Sequence, residues 1–298
     1  MINQIMKYRT FQTSSFSTRG ARRFGWVVAF GALLAANPMH AQLSDRFDPP
    51  RTAACCLATS ARGLADQLQD WNQLGRYDAS NKALRAQPDV PGRVVFMGDS
   101  ITDFWKLDQY FPNLPYVNRG IGGQTTPQML VRMYPDVIAL KPAAMVVLAG
   151  TNDIARNTGP STLEMIQQNI EAMTELAQHH GIKVILCSVM PVSDYPYLKQ
   201  QQTNTAQPPA GAAGPGRGPA ARTPMTGNHP AGDILKLNAW MKDYAGRVNA
   251  IYVDYYSALA DDKGWLKDGL SEDGLHPNAE GYKVMAPLVS TALRTALR

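Results

Sequence analysis

The chain has 298 residues, 45% of them hydrophobic and 18% charged, which is enough apolar material for a large core and too much for a chain disordered throughout. A formal charge of +5 would suit a nucleic-acid partner, but five of the 29 basic residues (Lys7, Arg9, Arg19, Arg22 and Arg23) precede residue 42, where no acid occurs. The other 24 face 24 acidic residues, so the charge gives no basis for binding nucleic acid. Three cysteines, Cys55, Cys56 and Cys187, are too few for a disulfide scaffold, and no Cys/His spacing suits a zinc site.

Residues 1–41 read as a signal peptide. Basic residues end at Arg22-Arg23, an apolar run extends over Phe24–Ala36, and a short polar exit leads to Ala41. The run is shorter than the ~20 residues of a membrane span, so cleavage near Ala41 and an exported, periplasmic or extracellular protein without stable membrane insertion are expected. Residues 42–92 form a helical lead-in, since Leu64, Leu68, Trp71, Leu74, Tyr77 and Leu84 recur at roughly helical spacing. Residues 93–298 form the main domain.

That domain begins with Val94–Met97, a short buried strand broken by Gly98-Asp99-Ser100. Further strands are expected over Tyr116–Asn118, Ala143–Ala149, Lys183–Ser188 and Ile251–Asp254. Helices are expected over Pro127–Tyr134, from a Ser161 or Thr162 cap to about His180, over Ile234–Val248, and from Ala279 onward. Strand and helix in alternation imply a parallel sheet with helices on both faces. The rhythm stops at 200–232, a Pro/Gly/Ala-rich insertion that brings almost no large apolar side chain before Ile234. It reads as a surface excursion, with a lid over the site as the sharper alternative. Cys187, in an apolar run, reads as a buried thiol.

Ser100 stands at the carboxyl end of a strand, where open α/β sheets place reacting groups. By itself Gly-Asp-Ser equally describes a polar turn in which Ser100 or Asp103 caps a helix. Asp273 and His276 lie three apart in a Gly/Pro-punctuated loop, a spacing that lets a tight turn bring the carboxylate to Nδ1. A serine needs an imidazole to take its proton, and the imidazole needs an acceptor to fix its tautomer. The remaining histidines, His40, His179, His180 and His229, read as surface or cap residues. Donors for a developing oxyanion are available from the Gly122-Gly123 turn and the Asn152 side chain.

In order and approximate spacing these stretches resemble the SGNH hydrolases, also called GDSL esterases and lipases. The matching blocks are Gly98-Asp99-Ser100 (with Ile101 where the family name has leucine), Asn118-Arg-Gly-Ile-Gly-Gly-Gln-Thr125, Gly150-Thr-Asn-Asp153 and Asp273-Gly-Leu-His276. The resemblance implies a flavodoxin-like three-layer α/β/α sandwich with Ser100 as nucleophile, His276 as base and Asp273 as orienting acid. It implies an oxyanion hole from Ser100, Gly123 (rather than Gly122) and Asn152, and no cofactor. In style, blocks two and three look most like acetylhydrolases and carbohydrate O-acetylesterases, so the expected substrate is a small-molecule or carbohydrate ester with a short acyl group. Other readings are a lysophospholipase or lipase of the same family, a non-catalytic carbohydrate-binding protein on the same fold, and a phosphoesterase whose metal is held by Asp99, Asp103, Asn152, Asp153 and His276. Oligomeric state is left open.

Overall fold

The structure, a computed structural model, describes residues 68–206 and 224–298. The expected leader, its cleavage point, the Cys55-Cys56 pair, His40 and the middle of the insertion lie outside those residues. Five strands are present: β1 (Val94–Gly98), β2 (Tyr116–Gly120), β3 (Ala144–Leu148), β4 (Lys183–Cys187) and β5 (Ile251–Val253). They pair in parallel in the order β2-β1-β3-β4-β5. β1 and β3 are buried along their whole length, which explains why both read as unbroken apolar runs and not as alternating ones.

The helices are α1 (Asp78–Arg85), α2 (Ser100–Asp103), α3 (Leu107–Tyr110), α4 (Thr126–Asp136), α5 (Thr151–Ile154), α6 (Leu163–His179), α7 (Tyr195–Ala206), α8 (Ala231–Arg247), α9 (Tyr255–Leu259) and α10 (Ala279–Ala296). Successive strand residues point to opposite faces, and each face has its own core. Val95, Met97, Met145 and Val147 pack with Met129, Ile170 and Leu237 of α4, α6 and α8. Val94, Phe96, Val146 and Leu148 pack with Trp105, with Tyr255 of α9, and with Met285 and Val289 of α10. Helices on both faces of a parallel sheet give the expected three-layer α/β/α sandwich. Cys187 lies fully buried in β4, and burial pushes its thiol up to about 12.

From β1 the chain goes to one neighbour, β2, and then returns past β1 to β3 on the other side. The carboxyl ends of β1 and β3 therefore form the switch point at which such sheets hold ligands. Local chemistry sets the turns there. Thr125 and Gln128 form a reciprocal capping box that starts α4, Thr162 Oγ1 accepts from the Met165 N–H at 3.2 Å to start α6, and Asn278 accepts from Glu280 and Gly281 to start α10. No helix among the described residues is long and apolar enough to cross a membrane.

Two segments differ from the sequence expectation. The residues before β1 do not form one apolar helical seam: Leu68, Trp71 and Leu74 are all exposed. The Asp70 carboxylate accepts the N–H groups of Leu74 and Gly75, both at 2.8 Å, and Gln73 adopts left-handed backbone at φ 56°, which breaks the helix. The insertion also has ordered shoulders, because α7 extends to Ala206 and α8 starts at Ala231, ahead of Ile234. The returning turn is tied to Asp194, which accepts from the Thr226 N–H at 3.0 Å and its Oγ1 at 2.5 Å.

Candidate active site

β1 ends at Gly98, and Asp99 caps α2 by accepting the Ile101 N–H at 2.9 Å. Ser100 is thereby the first residue of that helix. Its Oγ lies 2.8 Å from His276 Nε2, and His276 Nδ1 lies 2.6 Å from Asp273 Oδ2. Asp273 Oδ1 also accepts the N–H groups of Leu275 (2.9 Å) and His276 (2.8 Å), and the Ser271 hydroxyl at 3.1 Å. Burial alone would raise this carboxyl, but the His276 ring and the two backbone donors outweigh it and hold Asp273 well below the usual carboxylate range. At Gly274, with φ +88°, a Cβ would meet the Ser193 carbonyl oxygen at 2.1 Å, and Ser193 N–H donates to the Gly274 carbonyl at 2.8 Å. Only glycine lets the Asp273–His276 loop press this closely on the backbone that follows β4.

The proposed donors for an oxyanion converge from the same rim. Gly123 sits in the glycine-favouring region at φ +78°, and its N–H has no hydrogen-bond partner among the described residues. The Gly122 N–H is already committed to Asp103 Oδ2 at 3.2 Å. The Asn152 Nδ2 group donates to the Gln124 carbonyl at 3.0 Å and to Asp99 Oδ2 at 3.3 Å. The Asp99 contact is the longer of the two.

Several residues that shape this site escape a reading of motifs. Asn157 Nδ2 donates to Asn152 Oδ1 at 2.6 Å, which fixes the direction in which the Asn152 NH₂ points. Buried Arg132 donates to Gln124 Oε1 at 2.7 Å and pairs with Asp136, anchoring the Gly122–Gln124 turn from below. Phe104 is exposed, with its ring centroid 5.2 Å from that of His276. His179 and His180 are exposed as expected, but His229 is 5% exposed, with Nδ1 3.0 Å from the Met225 carbonyl and Nε2 unpartnered. Burial lowers its pKa, as does nearby His276. The oxygens weighed as metal donors have separate partners: Asp103 faces Gly122 and, at 3.5 Å, Arg76, while Asp153 accepts from Thr126.

Asp99 has no exposure at all, and burial pushes its carboxyl up to about 7 against the opposing Ile101 N–H. Its folded pKa is therefore above the unfolded value of ~3.9, so the folded state holds the proton more tightly. The associated stability is complete below pH ~4 and is lost as pH rises through about 7. Asp99→Asn removes that titration. Thermal melts from pH 4 to pH 8 should show the variant gaining on the wild type by several degrees, at ~2–4 °C per kcal/mol for a domain of this size. Parallel melting curves across that range would rule out a buried, titrating Asp99.

Residues 96–284 match the model of the GDSL-like lipase/acylhydrolase family. A Bacteroides fragilis protein designated an acylhydrolase is 38% identical, with a TM-score of 0.63 over 77% of this chain and 99% of that one. A catalytic mutant of an acetylxylan esterase from Geobacillus stearothermophilus is 18% identical, with a TM-score of 0.50 over 68% of this chain and 94% of that one, a likeness of fold alone. The Bacillus subtilis lipoprotein YqeF is 33% identical over 118 residues, 33% of this chain and 49% of that protein. The chain thus matches about half the length of that relative.

Proposed function

Because this chain belongs to the GDSL-like lipase/acylhydrolase family, we propose that it is a serine esterase that removes short acyl groups, acetyl above all, through an acyl-enzyme. One observation carries the reading: the unbroken hydrogen-bond line Ser100 Oγ, His276 Nε2, His276 Nδ1, Asp273 Oδ2, with steps of 2.8 and 2.6 Å. As Ser100 Oγ attacks the ester carbonyl carbon, its proton passes to His276 Nε2. Asp273 accepts the Nδ1–H, keeps the ring in the tautomer whose Nε2 is a free base, and stabilises the imidazolium that results. The carbonyl oxygen, now negative, takes hydrogen bonds from the N–H groups of Ser100 and Gly123 and from Asn152 Nδ2. Each such donor contributes ~3 kcal/mol of transition-state stabilisation. Collapse expels the alcohol, which receives the proton from His276. A water then loses its proton to His276, attacks the acyl-serine and releases the carboxylic acid, while Ser100 regains its hydrogen.

The acyl preference follows from the walls. The cleft beside the Gly122-Gly123 turn, lined by Gln73, Gln124, Gln128, Asn157, Thr158 and Trp71, suits a polar alcohol portion and provides no tunnel for a long acyl chain. Each methylene without a pocket forgoes ~0.8 kcal/mol of burial. Export belongs to the same reading, supported by the Arg22-Arg23 and Phe24–Ala36 pattern and by a relative that is named a lipoprotein. A panel of acetyl to decanoyl esters should give its highest kcat/KM at acetyl or propionyl and fall beyond butyryl. A steady rise toward decanoyl would instead make the protein a lysophospholipase or lipase.

A further inference from the structure

Trp71 is 52% exposed, yet the backbone that carries it is held on three sides. The Trp71 carbonyl accepts from Gln128 Nε2 at 2.6 Å, and the Asn72 carbonyl accepts from Gln124 Nε2 at 3.0 Å. Gln124 Nε2 also reaches Gln73 Oε1 at 3.3 Å, and Gln73 is the residue held in left-handed backbone. A large apolar ring left half in water gains little burial. Two glutamines, in the Gly122–Gln124 turn and at the start of α4, nevertheless fix the backbone that carries it.

The ring borders a cleft of 490 Å³ whose lining includes Gln73, Gly122, Gly123, Gln128 and Asn157, within the size range of small-molecule sites. One wall touches the proposed chemistry directly, since a Cβ on Gly122 would lie 3.8 Å from Ser100 Cβ. Another is tied to it through Asn157, which donates to Asn152 Oδ1. No charged side chain lines the cleft, so it offers no counter-ion to a phosphate or carboxylate. It offers a flat aromatic face beside primary amides, which both donate and accept hydrogen bonds. A pyranose ring has that complementarity: C–H groups on its faces and hydroxyl groups around its edge.

We propose that this cleft is a carbohydrate subsite in which a sugar ring of the ester's alcohol portion stacks on Trp71, with its hydroxyl groups bonded to Gln73 and Asn157. The proposal rests on the esterase reading and gives it a substrate class: O-acetylated saccharides.

The test compares acetylated xylooligosaccharides with ethyl acetate, both followed by pH-stat so that no aryl leaving group competes for the Trp71 face. In Trp71→Ala the ratio of kcat/KM for the saccharide to that for ethyl acetate should fall about tenfold or more, chiefly through KM, and Trp71→Phe should restore most of it. Calorimetric titration of the acetylated oligosaccharide into Ser100→Ala should show binding that disappears in Ser100→Ala/Trp71→Ala. An unchanged ratio, or binding that survives the loss of Trp71, overturns the subsite. If the wild type hydrolyses neither ester, the esterase reading fails and the titration decides on the cleft alone: Trp71-dependent binding supports the subsite, and no binding overturns it.

Discussion

Replacing Ser100 by alanine is expected to lower kcat for ester hydrolysis by roughly five to six orders of magnitude, the scale on which a hydrolase loses activity with its serine nucleophile. The melting temperature should move by no more than about 2 °C. Both expectations come from the same geometry. Among the described residues the Ser100 hydroxyl makes one hydrogen bond, to His276 Nε2, and α2 is capped by the Asp99 carboxylate and not by the serine. Removing Oγ therefore deletes the attacking atom while leaving helix start, sheet and loop intact. Steady-state turnover of an acetyl ester beside a thermal melt checks it, and a variant within tenfold of wild type would end the assignment of Ser100 as nucleophile.

Asp273→Asn should cost about four orders of magnitude in kcat, and His276→Ala at least as much. An asparagine keeps the acceptor for the Leu275 and His276 N–H groups if Oδ1 stays in place, but it puts an NH₂ group where Oδ2 now lies 2.6 Å from His276 Nδ1. Two donors cannot face each other, so the imidazole would move its proton to Nε2 and lose the lone pair that Ser100 needs. The loop is also secured at Gly274 against Ser193, so the loss should fall on kcat far more than on folding. Rates for the two variants on one substrate decide the roles: Asp273→Asn more damaging than His276→Ala would mean that the carboxylate, not the imidazole, handles the proton.

The central strands were legible because they are short, unbroken apolar runs ended by glycine or a polar turn, as in Val94–Gly98 and Ala144–Leu148, whereas β2 carries Asn118 and Arg119 within it. Ser100, Asp273 and His276 were legible as possible partners because their motifs are local, with the acid and the base three residues apart. Residues whose position depends on contacts across the fold were not legible. Trp71 falls on a helical apolar spacing, and nothing in that spacing shows that the Asp70 carboxylate breaks the helix and turns the ring outward. His229 follows a stretch with no packing signal, yet it is buried close to a turn that Thr226 ties to Asp194, 32 residues away in sequence. Asn157 orients Asn152 from five residues downstream, in the turn after α5, where its spacing looks like any polar surface turn.

The bond between Ser100 and His276 joins residues 176 positions apart. On the ribosome, Ser100 at the end of β1 and the turn beside it emerge long before the loop that carries Asp273 and His276. A growing chain with Ser100, Gly123 and Asn152 already made holds a serine without His276 beside it, which on the esterase reading would leave it without a proton acceptor. On the esterase reading, hydrolysis would begin only once the Asp273–His276 loop has seated itself against Ser193. For a protein read as an exported esterase, this ordering would keep an unfinished chain from attacking esters inside the cell that makes it.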